Sequence, residues 1–189
     1  SVGFCLGFYA AAFESEIEDF QLNSKMKKSV FNALGPIGGI FGGLAINFAI
    51  QRFGRKYPSM IASSIVIIGY IFIISTKTSY KALAYVGRVI TGLGVGAVST
   101  ANPVYIAELS PTDVRGSYGV MSQLFCSIGA LLIYFFGIWL KWRPLSGIAM
   151  VPPAVNIICL FFIPESPVFK RMDSSQRKKQ TNIFQKKFL

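Results

Sequence analysis

The chain has 189 residues, of which 52% are hydrophobic and only 14% charged, and its net charge is +11. Because a soluble domain carries about 25% charged residues, this composition has too few charges to cover a water-facing surface. The chain contains no histidine, which excludes His-ligated metal sites and His-dependent catalytic triads. We therefore expect an all-α membrane protein without a metal or a cofactor.

Six apolar stretches follow one another along the chain. A bilayer core about 30 Å thick needs a run of roughly 20 apolar residues, and five of the six stretches meet this length. The predicted spans are 1–13, 30–50, 57–75, 82–107, 118–140 and 145–163. The first is short, and we interpret it as the back end of a helix whose start is missing. The predicted organisation is a transmembrane six-helix bundle over 1–163 and a basic tail over 164–189.

The basic residues of the connections predict the orientation. If the start of the chain lies in the cytoplasm, the inner segments hold 11 basic residues and the outer segments hold 7. This excess agrees with the positive-inside rule and places the tail in the cytoplasm. We interpret the tail as a solvated segment, with binding to anionic lipid as the alternative. Basic residues on both faces of the membrane do not indicate a nucleic-acid partner.

The second span carries a stripe of glycines, Gly35, Gly39 and Gly43, and a second pair, Gly38 and Gly42. Small residues at this spacing let two helix backbones approach closely in lipid. The pattern fits a static packing interface and a sliding interface equally well.

Prolines interrupt three of the spans, at Pro36, Pro103, Pro152 and Pro153. Each removes a backbone donor and tends to kink its helix, which is tolerated where neighbouring helices or water satisfy the freed carbonyl. Such breaks are common in membrane proteins that open and close.

Arg88, beside Gly87, places a charge within the fourth span. Such a charge costs about 2.5–3.5 kcal/mol on insertion scales. Two interpretations stay open. Arg88 either anchors the helix, by reaching the outer headgroups or by pairing with a polar group on another helix, or takes a direct part in transport.

Four short motifs lie at the predicted cytoplasmic connections. They are Arg-x-Gly-Arg-Lys at 52–56, Pro-x-Tyr-x-x-Glu at 103–108, Ser-Pro-x-x-x-Arg-Gly at 110–116 and Pro-Glu-Ser-Pro at 164–167. Gly54 supplies a turn in the first motif. Glu108 and Arg115 lie at opposite ends of one loop, where they are available for ion pairs rather than for catalysis.

Together with Gly87-Arg88 and Gln123-Leu124, these motifs resemble the sugar porter family of the major facilitator superfamily, in order and spacing, over residues 7–167. The chain looks most like animal facilitative glucose or trehalose transporters. The resemblance implies the six-helix N-terminal half of a twelve-helix fold, with its first helix truncated, around a central sugar site. Its implied partners are a small-molecule sugar, the lipid bilayer, and the missing C-terminal half or a full-length porter.

The resemblance also implies roles for individual residues. Gln123 matches a glutamine that hydrogen-bonds sugar hydroxyls, and Cys126 would share its helical face as a substrate contact. A cytoplasmic charge network that bridges the halves corresponds to Arg55, Glu108, Arg115 and Glu165. The positions with structural roles are Gly54, Gly87, Arg88 and Pro103.

Three departures from the family pattern affect the interpretation. Gln51 stands where the inner loop normally has Asp or Asn, and Val168 replaces an arginine after Pro-Glu-Ser-Pro. Tyr9 falls where proton-coupled porters carry a membrane-embedded Asp. Without that carboxylate, proton coupling has no obvious carrier, which favours facilitated diffusion.

The sequence therefore predicts transport of a hexose or trehalose by alternating access, as part of a longer protein in the plasma membrane. The alternative is a truncated or degenerate six-span protein that does not transport and associates with a full-length porter. An enzyme is not expected, because four of the eight acidic residues crowd into 14–19 and the chain has no histidine.

Overall fold

A computed structural model describes residues 2–11, 25–76 and 81–163. These residues form six α-helices, with a 3-10 turn at Thr112–Val114 before the fifth. The helices are α1 (Val2–Ala11), α2 (Lys25–Phe53), α3 (Lys56–Ser75), α4 (Lys81–Leu109), α5 (Arg115–Trp139) and α6 (Trp142–Phe162). The predicted all-helical fold is confirmed. The predicted tail, including Glu165, lies outside the described residues.

Helices α2 to α6 are each long and apolar enough to cross a membrane. Their ends lie within five residues of the ends of the predicted spans. The largest extension is at the start of α2, where the helix begins at Lys25. A criterion based on continuous apolar residues excludes the lysines at this helix start, so it places the boundary too late.

The helices pack in pairs that repeat across the bundle. Helix α1 lies along α5, α2 lies along α4, and both pairs run parallel, whereas α3 packs antiparallel to α4 and also contacts α6. If α4, α5 and α6 repeat the arrangement of α1, α2 and α3, then α4 corresponds to α1 and α5 corresponds to α2. The α1–α5 pair and the α4–α2 pair are then equivalent. Inverted three-helix repeats of this kind are common in transporters.

The glycine stripe of α2 lies at the interface with α4. A methyl group on Gly92 or Gly96 would overlap the backbone carbonyl of Gly35 or Gly39. Backbone therefore meets backbone along this pair, as small residues permit in lipid.

The α3–α4 pair is close for a related reason. A methyl group on Gly87 would lie 2.8 Å from Ile73 Cγ1, and one on Gly94 would lie 2.6 Å from Val66 Cγ2. Both distances are shorter than a carbon–carbon contact of about 3.5–4.0 Å. The glycines of α4 thus permit close packing against two neighbouring helices, α2 and α3.

The turn between α2 and α3 depends on Gly54. This buried residue has a φ of 89°, a conformation that residues with a side chain rarely adopt. The chain reverses over Gly54 and Arg55 alone. Because the turn is so short, the side chain of Arg55 lies beside the C-terminal end of α4.

Arg88 lies inside the bundle and is 1% exposed. Its guanidinium carbon is 5.5 Å from the centre of the Phe8 ring and 4.9 Å from that of Phe31. A cation over an aromatic face in a dry environment contributes about 2 kcal/mol or more. Arg88 therefore ties α4 to α1 and α2 from within, rather than extending to the headgroups.

Candidate functional site

An open cleft of about 550 Å³ lies between α1, α4 and α5. Its apolar wall includes Leu6, Ile106 and Phe125, and the rim of α4 contributes Pro103. The polar side chains at the cleft are Ser99, Asn102, Tyr118, Ser122 and Gln123. A concave, mostly apolar surface with a few polar groups is typical of small-molecule sites.

The two residues predicted to contact substrate, Gln123 and Cys126, both line this cleft. They lie three residues apart on α5, so they share a helical face. Gln123 is exposed and Cys126 is half-buried. Of the described residues of α5, only Gly129 and Ile133 are buried, which leaves the cleft side of this helix open.

Asn102 is a cleft residue that the motif analysis missed. Its side-chain oxygen accepts a hydrogen bond from Ser59 Oγ at 2.6 Å. A parallel contact joins α6 to α3, where Asn156 Nδ2 donates to Ser63 Oγ at 2.8 Å. The sequence contained one signal for these contacts, which is the presence of asparagine and serine within apolar spans. Polar groups in such spans usually have a partner on another helix.

Arg55 and Glu108 form an ion pair where α3 begins and α4 ends. Arg55 Nη2 lies 2.8 Å from Glu108 Oε1, and Arg55 Nε donates to the same oxygen at 2.9 Å. Arg55 Nη1 also donates to the carbonyl of Ile50 at 3.3 Å. The two side chains are 11% and 17% exposed, so water screens the pair only partly.

The other two members of the predicted charge network are not part of this pair. Arg115 is exposed at the start of α5, after the 3-10 turn. Glu165 lies outside the described residues. The structure thus brings together two of the four predicted charges.

A second cleft, of about 490 Å³, runs along the line where α2 packs against α4, and Val2 and Leu6 of α1 complete its lining. Glycines line much of it, and Asn47 is at its edge, where its Nδ2 donates to the carbonyl of Gly43 at 3.1 Å. The two clefts meet at Val2, Leu6 and Ser99. They therefore open on the same side of the bundle.

Among residues 2–11, 25–76 and 81–163, no three His, Cys, Asp or Glu side chains lie close enough together to hold a metal ion. The polar groups of the first cleft are amides and hydroxyls. These groups suit a neutral ligand that carries hydroxyls.

Comparison with known proteins gives a consistent picture. Residues 3–187 match the family model described as "Sugar (and other) transporter". Sugar transporter ERD6-like 6 from Arabidopsis thaliana is 37% identical over 165 residues, which are 87% of this chain and 33% of that protein. Sugar transporter ERD6-like 17 from the same plant is 31% identical over 97% of this chain and 38% of its own length.

Solved structures of the xylose transporter XylE from E. coli have the same fold. The inward-open conformation matches with a TM-score of 0.75 and 27% identity, over 89% of this chain and 47% of XylE. The proton:xylose symporter XylE bound to 6-bromo-6-deoxy-D-glucose matches with a TM-score of 0.76 and 26% identity, over 93% and 46% of the two chains. The chain thus spans a third to a half of the length of these proteins.

Proposed function

The chain belongs to the Sugar (and other) transporter family, and from this premise we propose that it works as the N-terminal half of a transporter that moves a hexose or trehalose by facilitated diffusion. Five helices of the described residues are long and apolar enough to cross a membrane. The chain is an integral multi-pass membrane protein of the major facilitator superfamily. The transport activity belongs to the twelve-helix protein that the two halves form.

The observation that carries this proposal is the first cleft, where polar side chains of α4 and α5 face one space. Gln123 offers two donors and an acceptor, which match the hydroxyls of a sugar. The apolar surface around it, from Met121 and Phe125, suits the C–H faces of a sugar ring. A site of this kind orients the ligand through a few hydrogen bonds.

Alternating access requires contacts that form at one end of the protein and break when that end opens. The Arg55–Glu108 pair lies at the end that the basic residues of the loops assign to the cytoplasm. In our proposal the second half docks against this end when the transporter faces outward, and the exposed Arg115 pairs across the halves. Glu165 joins the same contact.

Facilitated diffusion is supported by Tyr9 in α1, at the position where proton-coupled porters carry an Asp. The side chain of Tyr9 lies outside the part of the chain that the structure describes. We place the protein in the plasma membrane. The distribution of basic residues supports a cytoplasmic position for the tail over 164–189.

Replacing Gln123 by Ala in the intact transporter tests the site. The expected result is a KM for D-glucose or trehalose raised by up to about tenfold, since one hydrogen bond contributes about 0.5–1.5 kcal/mol. The measurement is uptake of the radiolabelled sugar into proteoliposomes that contain the purified transporter.

The matched control is Gln51→Ala, which removes an exposed glutamine at the end of α2, away from the cleft. It should leave KM unchanged. Equal KM values for the Gln123→Ala variant and the unsubstituted protein would contradict the site assignment.

A second candidate function is supported by the open glycine-lined cleft beside the α2–α4 interface. A six-helix protein without transport activity could associate with a full-length porter through this surface. Its test is purification of the chain in mild detergent. A monodisperse chain that binds no sugar and is recovered with an intact porter would favour this function over transport.

A further inference from the structure

We propose that Asn102 is a second sugar-binding side chain of the first cleft and that Ser59 is the residue that positions it. This inference rests on the proposed transport function, which it extends to a further specificity-determining residue.

The first step is the location of Asn102. It lies on α4 directly before Pro103, and both residues line the cleft together with Gln123. Gln123 belongs to α5, so the two carboxamides approach the cleft from different helices. A ligand between them would therefore be held from two directions, which fixes its orientation.

The second step is the hydrogen bonding of the Asn102 carboxamide. Its oxygen accepts from Ser59 Oγ at 2.6 Å, within the short range of O–H···O bonds. Ser59 is 0% exposed, so water does not compete for this bond. Within the described part of the chain, the Asn102 NH2 group makes no hydrogen bond, so its two N–H donors are available for the cleft.

The third step is the chemistry of recognition. An N–H donor held in place by a buried hydroxyl requires an acceptor, such as a hydroxyl or ring oxygen of a sugar. An analogue that lacks this hydroxyl leaves the donor unpaired, which a site built for hydrogen bonding penalises strongly. Asn102 thus provides discrimination between sugars that differ at one hydroxyl.

The chain also contains a matched control for this arrangement. Ser63 lies one turn beyond Ser59 on α3, is also 0% exposed, and bonds to an asparagine side chain, that of Asn156 at 2.8 Å. Neither Ser63 nor Asn156 lines the cleft. The two Ser–Asn pairs therefore share residue types and burial of the serine, but only one of them reaches the proposed site.

The test compares four variants of the intact transporter in proteoliposomes: Ser59→Ala, Asn102→Ala, Ser63→Ala and Asn156→Ala. Uptake is measured for D-glucose and for its 2-, 3- and 6-deoxy analogues, and the thermal unfolding midpoint is measured for each purified variant. Ser59→Thr, which keeps the hydroxyl, is included to test for rescue.

We expect Ser59→Ala and Asn102→Ala to raise the KM for D-glucose by about 3–10-fold, the loss of one hydrogen bond. At least one deoxy analogue should then be transported as well as D-glucose, because the variant no longer requires that hydroxyl. Ser59→Thr should restore the KM. Ser63→Ala and Asn156→Ala should leave the KM within twofold of that of the unsubstituted transporter. This should hold even where they lower the unfolding midpoint as much as Ser59→Ala and Asn102→Ala do.

Unchanged KM values in the first pair, or equal changes in both pairs, would overturn the role of Asn102. In that case a raised KM for Gln123→Ala would leave the proposed function standing. Absence of uptake by the unsubstituted transporter, with the protein present in the vesicles, would overturn both. If Asn102→Ala does not fold, Ser59→Ala and its rescue by Ser59→Thr decide the question.

Discussion

Arg55 and Glu108 lie 53 residues apart in sequence and meet because α3 runs antiparallel to α4 from the Gly54 turn. Glu108 accepts from two nitrogens of Arg55 through one oxygen, at 2.8 and 2.9 Å. Charge-assisted bonds of this kind are about twice as strong as neutral ones. Because both groups are largely covered, removal of one leaves the other charge poorly solvated.

Replacing Glu108 by Gln should therefore destabilise the protein. The neutral amide leaves Arg55 without its counter-charge, at a cost of about 1–3 kcal/mol, or roughly 3–10 °C in the unfolding midpoint for a domain of this size. Thermal unfolding of the purified protein in detergent measures the shift.

The control for this variant is Lys141→Gln, which neutralises an exposed charge in the short link before α6. Its unfolding midpoint should stay close to that of the unsubstituted protein. A Glu108→Gln midpoint as high as that of the control would mean that the ion pair does not stabilise the folded state.

At the scale of elements, α4 packs closely against two neighbouring helices. It contacts α2 through glycine backbones and α3 through glycines opposite larger side chains. Such contacts fix the distance between the two helices. Because carbonyl oxygens of one helix already touch glycine Cα atoms of the other, the helices cannot move closer together. The glycine spacing therefore identifies the interface, and the described contacts show α2 and α4 in close packing.

Replacing Gly96 by Ala should separate α2 from α4, since its methyl group would overlap the carbonyl of Gly39. Overpacking of this kind costs about 1–3 kcal/mol, occasionally more. The matched variant is Gly147→Ala on α6, where nothing lies within 4 Å of the added methyl group. It should be neutral or stabilise the helix by up to about 1 kcal/mol.

Thermal unfolding of the two variants compares the same chemical change at a crowded and at an open position. Equal midpoints would mean that α2 and α4 adjust their separation without cost. That result would favour the sliding interpretation of the glycine stripe over static packing.

At the scale of the whole molecule, two open clefts lie on one side of the bundle. The two clefts meet there, between α1, α2, α4 and α5, and leave grooves of about 490 and 550 Å³. In the proposed transporter this side faces the second six-helix half, and the sugar lies between the halves. Much of each groove is apolar, as expected of a surface that another helix or a substrate covers.

The apparent mass of the native protein tests this proposal. An antibody against residues 14–28 should detect a band at roughly twice 20.7 kDa, as expected for two six-helix halves. Sugar uptake should accompany this species. A native band near 20.7 kDa would instead favour the six-helix protein that associates with a porter.

Much of the fold could be predicted because a membrane span has a fixed length, so apolar runs such as 57–75 mark helices directly. The resemblance to sugar porters singled out Gln123, which lines the first cleft, and Arg55 and Glu108, which form an ion pair. The Ser59–Asn102 and Ser63–Asn156 contacts could not be predicted, since they depend on which face of α3 meets α4 and which meets α6. Hydropathy does not contain this information.

Arg88 shows the same limitation from another direction. The cost of a charge in an apolar span was evident, but the sequence left open whether the outer headgroups or a group on another helix would offset it. The position of its guanidinium against Phe8 and Phe31 depends on how α1 and α2 approach α4. Aromatic residues are common in every span of this chain, so nothing in their spacing marks these two as its neighbours.

The bond between Ser63 and Asn156 has a consequence for the biosynthesis of the chain. The two residues are 93 positions apart, and a ribosome adds about 5–20 residues each second. Helix α3 is therefore made roughly 5–20 s before the asparagine that bonds to it. During this interval the Ser63 hydroxyl can donate a hydrogen bond to a carbonyl of its own helix. Helix α6 thus brings Asn156 to an α3 that has already been made, so the bond between α3 and α6 forms late in the assembly of these six helices.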